Sequence, residues 1–500
     1  MGRILWRATV ITHRYLGVAV GLLMLMWFAS GIVMMYVPYP SLTDKERLSI
    51  LPPIPWQACC SFDAQGFEPN QPIRAVEIQA MAGEPLMGLF PVDRPPRLAN
   101  LGPTGPTFEI DEAKARTIAL GAAPAIIAGD SHSLTEDLIE VDQWTVGDAS
   151  QGNGPFYRFS LDDPARTQIY VSSTSGEVLL WTTATQRFWN WFGAIPHWLY
   201  FTQLRSNGPL WSQIVIWTSI VGGFLTLLGL YLGIAQFRQG RGGRISPYRG
   251  WFYWHHIVGL VFGVLTLTWV VSGTISMNPW GFLEGRGGTE RARLAGQPIA
   301  WSTVRDSLAA MKANPPEGVV RLRTAPLDSK LYWLAAKSDG SFTRLDANGT
   351  PAPLGMTGLQ MAEERLVRGA PVESKEIITT GDDYYFDFSV AERDDAPPFP
   401  VYRVVLNDSE HTRYYLDPRT GQLLRRVDAN GRGQRWLFNG LHRLDFTAWL
   451  RARPIWDVIM IVLLIGGLAV TGTGTYLALS RIKRDLTFKR QVQAEPVRET

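Results

Sequence analysis

The 500-residue chain is predicted to be a membrane α-helical bundle of four spans, built as an internal duplication, with two α+β domains on the outer side. Three observations carry that prediction: four long uncharged apolar runs, a self-similarity at near-constant offset, and strand and helix patterning confined to two long intervening segments.

Composition narrows the class first. The chain is 46% hydrophobic, 19% charged and 11% aromatic, with 19 Trp and a net charge of only +3. A charged fraction below the ~25% usual in soluble domains argues against a disordered chain and a basic nucleic-acid binder, so no nucleic-acid partner is expected.

The apolar runs are Leu16–Tyr36, Leu210–Ile234, Ile257–Met277 and Val458–Leu479, none with an interior Asp, Glu, Lys or Arg. Each can cross a hydrocarbon core of about 30 Å. The first is too long for a signal peptide and lacks a small-residue cleavage site, so it is read as retained. Lys and Arg flank the spans on one side: Arg3, Arg7 and Arg14; Arg238, Arg241, Arg244 and Arg249; Arg481, Lys483, Arg484, Lys489 and Arg490. Both termini are therefore expected in the cytoplasm, and in a bacterial inner membrane the long segments would be periplasmic.

Those segments are Pro- and Gly-punctuated, with strand-like Thr167–Val171 and Tyr402–Leu406 and helix-like Asp111–Arg116 and Met361–Arg368. Each reads as its own α+β domain. The boundaries are 1–36 for the N-terminal tail and first span, 37–205 for the first periplasmic domain, and 206–236 for the second span. A cytoplasmic loop (237–253), the third span (254–277), the second periplasmic domain (278–452), the fourth span (453–480) and a C-terminal tail (481–500) follow. The cysteines, Cys59 and Cys60, are adjacent and form no CxxC, CxxCH or zinc pattern. Two plain thiols are expected ahead of a strained vicinal disulfide.

The repeat is the most informative feature. His13, Gly17, Gly21, Trp27, Ser30 and Gly31 match His255, Gly259, Gly263, Trp269, Ser272 and Gly273 at an offset of 242. At an offset of 245, Tyr157 and Arg158 match Tyr402 and Arg403, Thr167 matches Thr412, Tyr170 matches Tyr415, and Gly176 matches Gly421. Trp191, His197, Pro209, Trp211, Gly229 and Tyr231 continue the series with Trp436, His442, Pro454, Trp456, Gly474 and Tyr476. Two copies of equal orientation place matched residues opposite one another about an axis along the membrane normal.

Four of the seven histidines are so matched, giving a His13–His255 pair toward the cytoplasmic end and a His197–His442 pair toward the outer end. Interfacial polarity, capping or bundle hydrogen bonding could each explain one such histidine. Two facing pairs suit two iron porphyrins, each between neutral nitrogen donors. Without CxxCH the group would be haem b, two per chain. Zinc or copper and proton relay are the competing readings, the first weakened by the absence of Asp, Glu and Cys from the span ends. His256 is the substitute for His255, or a partner for a propionate or the lipid surface. Unmatched His132 and His411 read as surface residues.

Gly17 and Gly31 lie within 40° of His13 on an ideal helix, as Gly259 and Gly273 do of His255, leaving a strip free of side chains. Close helix packing is the rival explanation. Trp27 and Trp269 fall about 21 Å along the axis from their histidines, between the two levels, where core packing competes with an electron path. Trp189, Trp191, Trp198, Tyr200, Trp211, Trp436 and Trp456 read as an interfacial belt.

From these motifs the chain resembles the PepSY-associated transmembrane family. The carriers are HRYLG-x3-G at His13, WHHIVGLVFG at Trp254, the histidines preceding the second and fourth spans, and the PepSY-like TQIYVSSTSGEVLLW and TRYYLDPRTGQLLRRVD. The likeness runs from about Leu5 to Arg484 and is carried by the combination, since each motif alone is weak. It implies PepSY-like outer domains and an oxidoreductase of the ferric-siderophore reductase kind. His13 with His255 or His256 would ligate the cytoplasmic haem and His197 with His442 the periplasmic one; no catalytic acid or base is implied. Electrons would come from a separate flavin reductase or quinol, since no flavodoxin-reductase-like portion is evident, and pass to a ferric siderophore or other Fe(III) complex. Cys59–Cys60, the Pro-rich stretch 60–110 and the Gly/Arg-rich stretch 278–300 have no counterpart in that pattern. Rival readings are a haem-dependent reductase of copper or another acceptor, and a membrane-anchored PepSY module that binds a periplasmic partner without catalysis.

Overall fold

A computed structural model describes residues 2–60, 68–102, 108–127, 134–147, 150–237, 245–285, 287–386 and 397–494. His132, Arg238, Arg241 and Arg244 lie outside the described residues, as do the side chains of Lys489 and Arg490. The chain divides into two compact units, one combining Met1–Tyr39, Phe188–Glu284 and Gly431–Thr500, the other Pro40–Arg187 and Gly285–Asn430.

The first unit is a helical bundle. Four helices are long and apolar enough to cross a membrane: Gly2–Met34, Gly208–Gln236, Trp251–Ser276 and the Ile455–Arg484 stretch of Ile455–Ala494. Helical hydrogen bonding satisfies their backbones internally, as hydrocarbon requires. The first packs on the second and fourth, and the third packs on the same two. Small residues permit the approach: Gly222 abuts Val270 and Met24, and Gly21 abuts Thr475.

Short helices Ala194–Trp198 and Leu441–Arg443 pack on the first and third spans respectively. Each ends in a left-handed leucine, Leu199 and Leu444, both at φ 54°. Trp211 and Trp456, in the first turns of the following spans, donate indole N–H bonds of 2.7 Å to the carbonyls of Trp198 and Arg443. Segments 188–205 and 431–452 therefore group with the bundle and not with the expected outer domains, because the short helices that carry His197 and His442 pack on the first and third spans.

In the second unit the first segment contributes β1 (Pro72–Met81), β2 (Glu84–Pro91), β3 (Arg97–Asn100), β4 (Leu134–Ile139), β5 (Phe156–Leu161), β6 (Gln168–Ser172) and β7 (Val178–Thr182). The second contributes β8 (Ile299–Ala300), β9 (Val319–Thr324), β10 (Trp333–Lys337), β11 (Phe342–Leu345), β12 (Val372–Ile378), β13 (Val401–Leu406), β14 (Arg413–Leu416) and β15 (Leu423–Val427). Two four-stranded antiparallel sheets, β4-β5-β6-β7 and β12-β13-β14-β15, have the same order. Helix Glu112–Ile126 buries Ala115, Ala119 and Ala122 on the first, and helix Gly355–Val367 buries Leu359, Ala362 and Leu366 on the second.

The remaining strands correct the expectation of two separate outer domains. They form one seven-stranded sheet, β11-β10-β9-β1-β2-β3, with β8 also on β1. Ile78 pairs with Leu322 and Glu77 with Arg323 across the β1–β9 ladder, so both segments share one core around Val76, Ile78, Leu322 and Trp333. The stretches 60–110 and 278–300, without counterpart in the sequence pattern, supply β1–β3, β8 and the helix Glu290–Ala295. Cys59 and Cys60 are joined by a disulfide, contrary to the expectation of two thiols, with Cys59 buried in the shared core. His411 is exposed beside Glu373, as expected of a surface residue.

Candidate functional site

The bundle brings the matched histidines together in two pairs. The rings of His13 and His255 have centroids 6.3 Å apart, and those of His197 and His442 are 6.2 Å apart. His255, not His256, faces His13.

Each of the four rings is held by its Nδ1. His13 Nδ1–H donates to the Leu225 carbonyl at 3.1 Å. His197 and His442 Nδ1–H donate to the carbonyls of Trp27 and Trp269, at 3.0 and 3.2 Å, and are shared with the hydroxyls of Ser30 and Ser272. His255 Nδ1 lies 3.0 Å from Thr473 Oγ1, whose own hydrogen goes to the Ala469 or Val470 carbonyl. Because a carbonyl oxygen or a committed hydroxyl can only accept, all four Nδ1 atoms carry the proton. In the neutral ring every Nε2 then keeps a lone pair, the tautomer and second-layer support of a metal-ligating imidazole.

Glycines flank the rings in matched positions. A Cβ on Gly229 would fall 2.8 Å from His13 Cε1, and one on Gly474 would fall 3.0 Å from His255 Cε1. At the second pair, Gly31 and Gly273 approach His197 and His442 Cε1 to 3.7 and 3.5 Å by the same measure. Around the first pair lies a cavity of about 480 Å³, lined by all four spans and by Gly17 and Gly259, where a Cβ would meet nothing within 4 Å. The expected side-chain-free strip is therefore found only at the first level, at Gly17 and Gly259, whereas Gly31 and Gly273 lie against the His197 and His442 rings.

Each pair would hold a metal-centred planar group through two imidazole nitrogens, and the separations are compatible with that. With a metal–nitrogen bond of about 2.0 Å and about 1.1 Å from nitrogen to ring centre, two imidazoles in line across one metal have centres about 6.2 Å apart. Among the described residues no three His, Cys, Asp or Glu side chains gather around a common point, so each pair offers two donors and not a closed zinc-type set.

His256 is buried, its Nε2–H donating to the Gly233 carbonyl at 2.9 Å and its ring meeting Tyr248 edge-on at 5.4 Å. This corrects its placement at the lipid surface. The two tryptophans also part company. Trp269 is buried against Phe28 and donates its indole N–H to the His442 carbonyl at 2.9 Å, which ties it to the second level and not between the levels. Trp27 packs against the cluster of Val20, Met24, Leu225 and Val270, in the interval between the pairs.

Sequence reasoning missed the residues that fix the rings. Leu225 acts through its backbone, which no side-chain pattern reveals, and Thr473 has Leu228 at the corresponding repeat position. Gly229 and Gly474 were visible as a matched pair, but their proximity to the histidines depends on helix rotation. No protein-family model matches the chain, and no curated protein is significantly similar to it.

Proposed function

We propose that the chain is a transmembrane electron-transfer protein that carries two haem b groups and reduces Fe(III), as a ferric siderophore or similar complex, at the outer face of a bacterial inner membrane. The observation that carries this reading is the pair of facing imidazoles at each of two levels, every one with Nδ1 committed and Nε2 available. Bound haem would supply one-electron carriers at two depths, and the electron would come from quinol or a flavin reductase on the cytoplasmic side.

The protein's own residues do the holding. His13 and His255 would ligate one haem and His197 and His442 the other, with Leu225, Thr473, Trp27 and Trp269 fixing ring orientation. The Lys/Arg-bearing tails are assigned to the cytoplasm on the positive-inside rule. Each Fe(III) takes one electron; the less charged, softer Fe(II) leaves hard-oxygen chelators, so release needs no acid or base.

Local equivalences support an internal duplication and the PepSY-family likeness. Thr167 and Thr412 each bond through backbone N–H and hydroxyl to an aspartate four residues earlier, Asp163 and Asp408. Arg158 and Tyr170 hold Asp142 much as Arg403 and Tyr415 hold Asp382.

The test is an absorption spectrum of the detergent-purified protein, oxidised and dithionite-reduced, with a pyridine haemochrome count and reoxidation by a ferric hydroxamate. Two low-spin haem b per chain, reoxidised by the ferric complex with Fe(II) released, is the expected result. A protein still colourless after haem supply would overturn it and favour a PepSY anchor. Reoxidation by Cu(II) but not by ferric complexes would move the acceptor to another metal.

A further inference from the structure

The cavity at the first histidine pair has a basic end beyond the histidines. Arg14, Arg481 and Arg484 line it together with His13, His255 and the glycines, and no Asp or Glu is among its described lining residues. Arg14 directly follows His13. On the fourth span, Gly474, Ala478, Arg481 and Arg484 follow at helical spacing along one face. Gly474 is where an added Cβ would strike His255, so the two arginines stand about 10 and 15 Å farther along the same face by helical rise.

Such a cavity is matched to a flat apolar ligand with anionic groups at one edge. Guanidinium is suited to that edge, because its planar fork bonds carboxylate oxygens two at a time and it stays charged when partly desolvated. We infer that Arg14, Arg481 and Arg484 form a carboxylate clamp that receives the ionised propionates of the haem held by His13 and His255, and so sets which edge of the macrocycle faces the chain termini. This rests on the haem reading above and adds its orientation and the basis for choosing a free-acid porphyrin.

The experiment uses the full chain in the His197→Ala background, in which only the first pair is complete. Haem-depleted protein is titrated with iron protoporphyrin or with its dimethyl ester, and loss of each to a scavenging apo-globin is timed. The expected result is that the free acid is retained about tenfold or more longer than the ester, consistent with a charge-assisted hydrogen bond. Combined Arg14→Gln, Arg481→Gln and Arg484→Gln substitutions should abolish that preference while ester uptake, the control for folding, is unchanged. Should the triple variant take up neither form, the single Arg→Gln variants are read in the same way, each expected to narrow the preference. Equal retention of acid and ester by the unsubstituted arginines, or a preference that survives their replacement, overturns the clamp. Failure of the unsubstituted protein to bind either porphyrin overturns the haem reading itself.

Discussion

His442 and Trp269 are bonded twice: the His442 ring donates through Nδ1 to the Trp269 carbonyl at 3.2 Å, and the Trp269 indole N–H returns a bond of 2.9 Å to the His442 carbonyl. This reciprocal lock ties the third span to the turn that carries His442. Its counterpart is one-sided, since Trp27 receives the His197 bond at 3.0 Å through its carbonyl while its side chain packs among Val20, Met24 and Leu225.

Trp269→Phe is accordingly expected to loosen His442 and perturb only the haem of the second pair. Trp27→Phe should leave both intact. Electron paramagnetic resonance of the oxidised protein checks this, because low-spin g-values report axial imidazole orientation. Equal shifts in both variants would refute the lock.

Ligand identity is separable at the adjacent histidines. His255→Ala should lose the first-level haem and His256→Ala should keep it, because only His255 faces His13. His197→Ala should lose the second-level haem alone. A haemochrome count on each variant decides.

The glycines should divide by distance. Gly229→Ala and Gly474→Ala push a methyl group to 2.8 and 3.0 Å from the imidazoles and are expected to cost about 1–3 kcal/mol of overpacking, with loss of first-level haem. Gly31→Ala and Gly273→Ala make ordinary contacts at 3.7 and 3.5 Å and should retain the second. Haem content and thermal unfolding together measure both effects.

In the sheet unit, burial and the neighbouring aspartates push the Tyr170 and Tyr415 hydroxyls above the ordinary tyrosine range. A group raised on folding contributes stability that is complete below its unfolded value, about 10, and is lost as pH rises through the folded value. Stability of this unit should therefore fall above about pH 10. Tyr170→Phe with Tyr415→Phe should cost about 1.5–3 kcal/mol per bond at neutral pH and flatten that alkaline loss. Thermal unfolding between pH 8 and 11 checks it, and an unchanged alkaline slope in the double variant would count against it.

Much of the site was legible before any coordinates. Spans follow from uninterrupted apolar runs, and His13, His255, His197 and His442 stand out because they fall at matched positions of the self-similar segments. Asp142 and Asp382 escaped that comparison because their offset is 240, where Arg158 and Arg403 keep 245, so only the folded loops reveal that they do the same work. The clamp arginines were read solely as markers of orientation, since charge counting cannot tell a residue facing water from one lining a cavity.

The sequence by itself determined the local and periodic features: four apolar helices, the strand patterns of β6 and β13, and the pairing of histidines implied by the repeat. Only the tertiary structure decided what depends on rotation, register and partners distant in the chain. It turned His255, and not His256, toward His13 through the direction each ring takes from one helix, and it brought the Leu225 carbonyl to His13 across 212 residues. It also joined β1 to β9, because a strand's alternation specifies which face is buried but not which neighbour supplies the hydrogen bonds at its edge.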